Sequence, residues 1–305
     1  MPAALLNLGS VSIERVEESS FAALDPFEVY PEVTAELLAA NAQWLMPRFL
    51  DAATQRLILS FQGFVIRSGA ALIVVDTCVG DCKARRRHGF DQQRWGWLAR
   101  LEASGVSCDA VTHVVCTHFH VDHVGGNTRL RNGQWVPSFP NARYLFPRLE
   151  FEYWSSPAGI RALERTGDYM TDSVLPVIAA GQAELVAPDH AIDACVGLRP
   201  AGGHTPGSVI VDVQSASQRA LLLGDVLHTM LQIHYPDWST RFCMDAEASR
   251  RTRRAILDSC ADQDIWLLPN HFPAPTAGQI ERCGGHYLWR YAGEGTLAGF
   301  PGSST

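Results

Sequence analysis

The stretch Cys116-Thr117-His118-Phe119-His120-Val121-Asp122-His123-Val124-Gly125-Gly126 decides how the rest of the chain is read. It packs three histidines and an aspartate into six positions of a chain that has 11 histidines in 305 residues. Just before it, "AVTHVVCTH" reads as a short buried strand, so the cluster begins where a strand runs out, which is where α/β folds carry their chemistry. On an extended or tightly turned segment, His118 and His120 can point the same way and grip one metal ion, while Asp122 and His123 turn toward a second. Neutral imidazole and carboxylate are the donors that suit zinc and its neighbours. Three further donors sit at strand ends: His204 in the Gly-rich turn of "PAGGHTPGSV", Asp225 after the apolar run of "LLLGDVLH", and His271 in "WLLPNHFPAP". Any one of them alone is a common structural polar group. Together they complete two metal sites.

Outward from that cluster the chain alternates strands and helices. "FQGFVIRSG" followed by "AALIVVDTCVG" predicts a β-hairpin about Ser68-Gly69, its second arm a buried run ending at Asp76. "QQRWGWLARLEASGV" has helical spacing through Trp95, Leu98 and Leu101 and closes at Gly105. Further strands are expected at 142–146, 183–187, 196–201, 208–214, 219–225 and 264–270, and helices at 147–154, 159–166, 168–178 and 245–260. Residues 1–55, with "PEVTAELLAANAQWLM" helical, read as an extension packed on one domain of residues 56–305.

Composition narrows the function. A formal charge of −7 and a pI near 5.9 argue against a nucleic-acid partner, which would call for clustered Lys and Arg. The two basic clusters, Lys83-Ala84-Arg85-Arg86-Arg87 and Arg250-Arg251-Thr252-Arg253-Arg254, are not interleaved with stacking aromatics and read as a solvated loop and a solvated helix face. Eight cysteines without a C-x-x-C pair read as reduced thiols. No run of eighteen apolar residues appears, and the first residues lack a basic segment followed by a long apolar one, so the expectation is a cytoplasmic chain with no membrane partner.

"THFHVDHVGG", "GGHTPGS", "GD" and "NH" follow one another in the order of the metallo-β-lactamase superfamily, which residues 61–290 resemble. The resemblance implies an α/β fold, a four-layered αββα sandwich of two similar halves with metals in loops at one edge of the sheets. It implies His118, His120 and His204 on a first metal, Asp122, His123 and His271 on a second, and Asp225 bridging both, with Asp76 supporting ligand imidazoles from behind. Two divalent ions are then the cofactors, zinc foremost, with manganese, iron or cobalt as alternatives. A hydroxide shared between them would attack a carbonyl or phosphoryl centre, with Asp122 or Asp225 relaying a proton to the leaving group.

Secreted β-lactamases of the superfamily have a cysteine where Asp225 stands, and its RNA-processing members need a surface for phosphate backbones. The better match is the branch of N-acyl homoserine lactonases and methyl parathion hydrolases, whose entry strand resembles "FVIRSGAALIVVDT". One position departs: quorum-quenching lactonases have a tyrosine three residues after the bridging aspartate, where this chain has His228. His228 is expected to stabilise a developing oxyanion, the other reading being a cap at a helix start. Phe151, Tyr153, Trp154, Ile233, Tyr235, Trp238 and Phe242 as a set suggest an apolar pocket for an acyl or aryl group. The expectation is a dinuclear metal-dependent hydrolase of a small, fairly apolar ester or lactone. The alternatives are a phosphotriester or thioester hydrolase and, from another class, a mononuclear iron persulfide dioxygenase. A small-molecule substrate is the implied partner, and the reading leaves room for a homodimer.

Overall fold

The hairpin expected at Ser68-Gly69 forms, with Gly69 in the left-handed region (φ +55°) that the tight turn requires. The computed structural model describes residues 5–293. Its strands are β1 (Leu6–Leu8), β2 (Val11–Leu24), β3 (Leu57–Ser68), β4 (Ala71–Val75), β5 (His113–Val115), β6 (Thr128–Arg131), β7 (Gln134–Pro137), β8 (Arg143–Pro147), β9 (Ala183–Val186), β10 (Val196–Pro200), β11 (Val209–Ser215), β12 (Gln218–Leu222), β13 (Ile265–Leu268), β14 (Gly278–Cys283) and β15 (His286–Tyr291). The chain divides into two units. Among the described residues, the first comprises those up to 19, 61–200 and 205–218, and the second 20–60, 201–204 and those from 219 on.

The first unit is built on a sheet of order β1-β2-β3-β4-β5-β8-β9, in which β4, β5, β8 and β9 run parallel; the outer ends of β2 and β3 belong to the second unit. Val65, Val74, Val114, Tyr144 and Phe146 from these strands pack with Trp97, Leu101, Trp154 and Val174 in one buried cluster. Each such aliphatic side chain contributes about 1.5–3 kcal/mol by leaving water. The helix expected at 168–178 is two short ones, Met170–Ser173 and Leu175–Ala179, broken at Val174. Pro176 explains the break, since it has no N–H to continue the ladder and its ring crowds the turn before it.

The basic cluster near residue 85 departs from the sequence reading. Lys83 is 0 % exposed and Arg85 5 %. The Arg85 guanidinium meets both carboxylate oxygens of Asp172 at 2.6 and 3.0 Å, while Lys83 Nζ donates to the Asp172 carbonyl at 2.8 Å and lies 3.6 Å over the Trp135 ring. A buried cation has to be paired in this way or give up its charge, and burial does lower the Lys83 pKa to about 7.

In the second unit, β12 and β13 are parallel, and β14 and β15 complete the run β12-β13-β14-β15. The helix Ala246–Cys260 opens at Asp245, whose side chain accepts from Ala248 N at 2.8 Å, and buries Ile256, Leu257 and Cys260. Arg250, Arg251 and Arg254 face solvent as expected, but Arg253 is fully buried and donates to the carbonyls of Val226, Pro236 and Trp238. One face of the helix is therefore solvated and one guanidinium points inward. The hairpin β14/β15 was absent from the sequence reading, although Gly284-Gly285 between two alternating runs is a turn signal for it.

Candidate metal centre

Parallel strands deliver the site residues of each unit. In the first unit β4 and β5 pair through Val75 and Val115, so Asp76 and the segment beginning at Cys116 leave the sheet side by side. Asp76 sits at φ +56°, a conformation in which aspartate is enriched, and is fully buried. Its carboxylate accepts from Thr117 N (2.7 Å), Thr117 Oγ1 (2.8 Å) and His123 Nδ1 (2.8 Å). A carboxylate only accepts, so His123 has its proton on Nδ1 and its Nε2 lone pair turned away. Thr117 Oγ1 gives its proton to Asp76 and therefore accepts from His118 Nδ1 at 3.1 Å, fixing the same tautomer there. The rings of His118 and His123 are 4.0 Å apart and those of His118 and His120 4.7 Å, and donor atoms of Asp122 and His123 lie within 4.8 Å of one another.

The loop keeps this shape because the two glycines that close the motif lie against the turn after β4. A Cβ at Gly125 would stand 1.7 Å from the Val79 carbonyl oxygen, and one at Gly126 2.5 Å from that of Thr77. Backbone hydrogen bonds Gly125 N to Cys78 O (2.8 Å), Gly126 N to Thr77 O (2.9 Å) and Thr77 N to His123 O (2.8 Å) fill that contact. Below the same turn, the buried Glu18 accepts from Val79 N and Gly80 N at 3.0 and 2.9 Å.

The second unit repeats the device with β12 and β13, which pair through Leu222 and Leu268 and release Asp225 and His271. Three imidazoles surround Asp225: His271 Nε2 is 3.1 Å from Oδ1, while His204 Nε2 and His228 Nε2 are 3.1 and 3.2 Å from Oδ2. His271 Nδ1 donates to the Ser60 carbonyl at 2.9 Å, so in the neutral ring it is a bare Nε2 that faces the carboxylate oxygen. Two lone pairs at that distance repel unless a cation stands between them or the ring itself is charged. With protein groups alone, burial opposes charge on His204, but Asp225 and Cys243 overcome it and raise its pKa to about 10. This set has the chemistry of a divalent metal site, and Asp225, His228 and His271 offer donor atoms within 4.8 Å of one another.

His228 caps no helix. Its backbone N donates to Gln232 Oε1 at 2.7 Å, the short helix Leu231–His234 has no side-chain cap, and its Nδ1 meets no hydrogen-bond partner among the described residues. Burial lowers its pKa to about 4 despite Asp225, so the ring is neutral. Of the expected aromatic set, Trp154 and Ile233 are core. Tyr235 and Trp238 stack on each other, whereas Phe242 is 38 % exposed with its ring 6.2 Å from that of His228.

A match to the family model of the metallo-β-lactamase superfamily spans residues 63–269. The chain belongs to the metallo-β-lactamase superfamily. Membership bears out the α/β fold expected from the motif order, and with it the enzyme class, a metal-dependent hydrolase. No match is found among curated proteins. Among solved structures, the chain is similar to the hydrolase AbOPH of the β-lactamase superfamily (20 % identity, TM-score 0.80, covering 94 % of this chain and 96 % of that one). It is also similar to AidC, a dizinc quorum-quenching lactonase (19 %, 0.78, 95 % and 97 %), and to a probable metal-dependent hydrolase from Staphylococcus aureus (18 %, 0.76, 95 % and 99 %). Among the described residues, no helix is long and apolar enough to cross a membrane.

Of the residues that hold the site from behind, sequence reasoning named Asp76 and passed over the rest. Glu150 is fully buried and accepts from Phe119 N (3.0 Å), Gly207 N (2.8 Å) and Trp154 Nε1 (2.8 Å). Ser60 and Cys243 meet ligand-candidate imidazoles through single atoms. Glu150 had a signal, a carboxylate inside the apolar run "RLEFEYW"; Ser60, which acts through its backbone, had none.

Proposed function

We propose that the two sets of donors work as one dinuclear centre that hydrolyses a small, fairly apolar ester or lactone. In this reading His118, His120 and His204 hold one divalent ion, Asp122, His123 and His271 hold the second, and Asp225 bridges them. The observation that carries it is the orientation of the imidazoles. The Nδ1 atoms of His118, His123 and His271 are committed to oxygen acceptors, and the Nε2 atoms of His204 and His271 converge on the Asp225 carboxylate at 3.1 Å. Two divalent ions, most simply zinc, supply when bound a hydroxide at neutral pH and polarisation of the substrate oxygen.

The chain's own groups do the rest. Asp122 or Asp225 passes a proton to the leaving oxygen. His228, neutral and desolvated, directs an N–H at the oxygen on which charge develops. Phe242, exposed beside His228, gives an acyl chain an apolar surface. The description of AidC as a dizinc lactonase supports the choice of ester over phosphotriester or thioester.

The test is elemental analysis of protein purified without added metal, paired with a hydrolysis screen over lactones, aryl esters, thioesters and phosphotriesters. Two zinc-like ions per chain and turnover led by lactones or esters are expected. One iron per chain with oxygen consumption would overturn the proposal in favour of persulfide oxidation. In Asp225→Ala both metal content and rate should collapse, the rate by more than about 10³-fold, because two cations lose the charge between them. Full occupancy in that variant removes the bridge from the proposal.

A further inference from the structure

Each candidate ligand imidazole whose rear contact is described in the first unit, and His271 in the second, meets an oxygen acceptor. His204 meets a sulfur: Cys243 Sγ lies 3.6 Å from its Nδ1. The placement is imposed by the backbone. Met244 N donates to His204 O at 2.9 Å and Asp245 N to Gly203 O at 3.0 Å, so Cys243 is strapped alongside the histidine. Gly203, at φ +129°, presses against the start of the helix Ala246–Cys260, where a Cβ would stand 2.2 Å from Ser249 N. No side chain larger than hydrogen fits there, and the close approach brings the helix to His204.

From the sulfur the contacts continue inward. Cys243 Sγ is 3.3 Å from Ser249 Oγ, and Arg253 Nη2 donates to that oxygen at 3.1 Å. The same guanidinium donates to Val226 O, the carbonyl immediately after Asp225, at 3.1 Å. One chain of polar contacts thus runs from the His204 ring through Cys243, Ser249 and Arg253 to the backbone behind Asp225.

We infer that Cys243 is a positioning residue for His204: its sulfur accepts the Nδ1 proton, fixing the ring so that Nε2 faces Asp225. The assignment to a metal ligand rests on the dinuclear reading above; the hydrogen bond does not. Sulfur is a weak acceptor, but His204 is buried, where no water competes for the Nδ1 proton, so a weak bond can select the ring orientation. Loss of a residue that orients a ligand histidine typically weakens metal binding about 10–100-fold.

The test compares Cys243→Ala and Cys243→Ser with the wild type in two measurements. The first is the solvent exchange of the His204 Nδ1 proton, followed by ¹⁵N-edited NMR of histidine-labelled protein with and without zinc. The second is the zinc dissociation constant by competition with a chelator. Wild type and Cys243→Ser, whose hydroxyl can accept, should show a protected Nδ1 proton, and Cys243→Ala should exchange it at least about tenfold faster and bind zinc about 10–100-fold more weakly. Unchanged exchange and unchanged zinc affinity in Cys243→Ala overturn the inference. If the wild type takes up no zinc, the dinuclear reading fails while the exchange measurement still decides the hydrogen bond. If Cys243→Ala does not fold, the wild type decides alone: an Nδ1 that carries no proton, or one exchanging as in free imidazole, overturns it.

Discussion

Asp76 and Asp225 occupy the same place in two different sheets, each just beyond the first strand of a parallel pair, and they face opposite ends of their imidazoles. Asp76 takes the Nδ1 proton of His123 and, through Thr117, orders His118, so it stands behind its histidines. Asp225 is met by Nε2 of His204 and His271, the two proposed ligands beside it, so it stands among the atoms that would bind metal, with His228 Nε2 at 3.2 Å as a neighbour. In the proposed dinuclear centre, one strand-end position thus serves as a support and the other as a ligand. The neighbouring chain decides between the two: after β5 a contiguous loop brings its own donors, while around β12 and β13 they arrive from 204, 228 and 271.

Substitutions on each side can break that distinction. The largest effect after loss of Asp225 itself is expected at His228, on the ligand side. If its N–H meets charge that builds only in the transition state, His228→Ala lowers kcat by about 10²–10³, or about tenfold where a metal shares the same oxygen, with KM and metal content little changed. Steady-state kinetics beside elemental analysis decide it; an unaltered kcat with reduced Tm would make His228 a packing residue.

A smaller effect is expected at Asp76, on the support side. Asp76→Asn keeps the shape but presents a donor where His123 needs an acceptor, so zinc affinity should fall about 10–100-fold while excess zinc restores most of the rate. If excess zinc restores nothing, Asp76 is more than a support and the distinction between the two aspartates dissolves.

The smallest effect concerns the turn on which the contiguous loop rests. Burial, against its hydrogen bonds from Val79 and Gly80, raises the Glu18 pKa from 4.5 to about 8. Between those values the unfolded chain has released this proton and the folded chain keeps it, so Glu18's contribution to stability declines as pH rises and is lost above about pH 8. Urea denaturation across pH 5 to 8.5 should show that decline in the wild type and a flatter profile in Glu18→Gln. Parallel profiles would mean that Glu18 is ionised throughout.

Legibility in the sequence followed the same division. The contiguous loop could be read directly, because six positions held four donors beside a strand end. Asp225 and His271 were legible more weakly, through the apolar runs that precede them. Of the supports, Asp76 was legible through the resemblance, and the others were not. Arg85 finds Asp172 at a separation of 87 residues, and His271 finds a backbone carbonyl 211 residues away, and neither distance leaves a pattern in composition or spacing. The basic cluster was misread for that reason, since local charge density says nothing about a distant carboxylate. The β2 strand escaped notice because Arg15 and Glu18 stand where the alternation set by Val11, Ile13 and Val16 calls for apolar residues, and Glu18 proves to be a buried acceptor.

Gly125 and Val79 also bear on how this scaffold could be given a new substrate. Because even a methyl group at Gly125 or Gly126 would collide with a carbonyl oxygen, the end of the histidine loop has no room to vary, and substitutions at those two glycines should return mainly unfolded protein. The stretch from Met230 to Met244 is different: it carries Phe242 and Met244 half-exposed, and its backbone is tied down from outside by Arg253. A directed-evolution library should concentrate on Phe242 and Met244 and leave Cys243 and the histidine loop untouched, because variation at those two exposed positions can reshape the substrate surface without removing the contact behind His204.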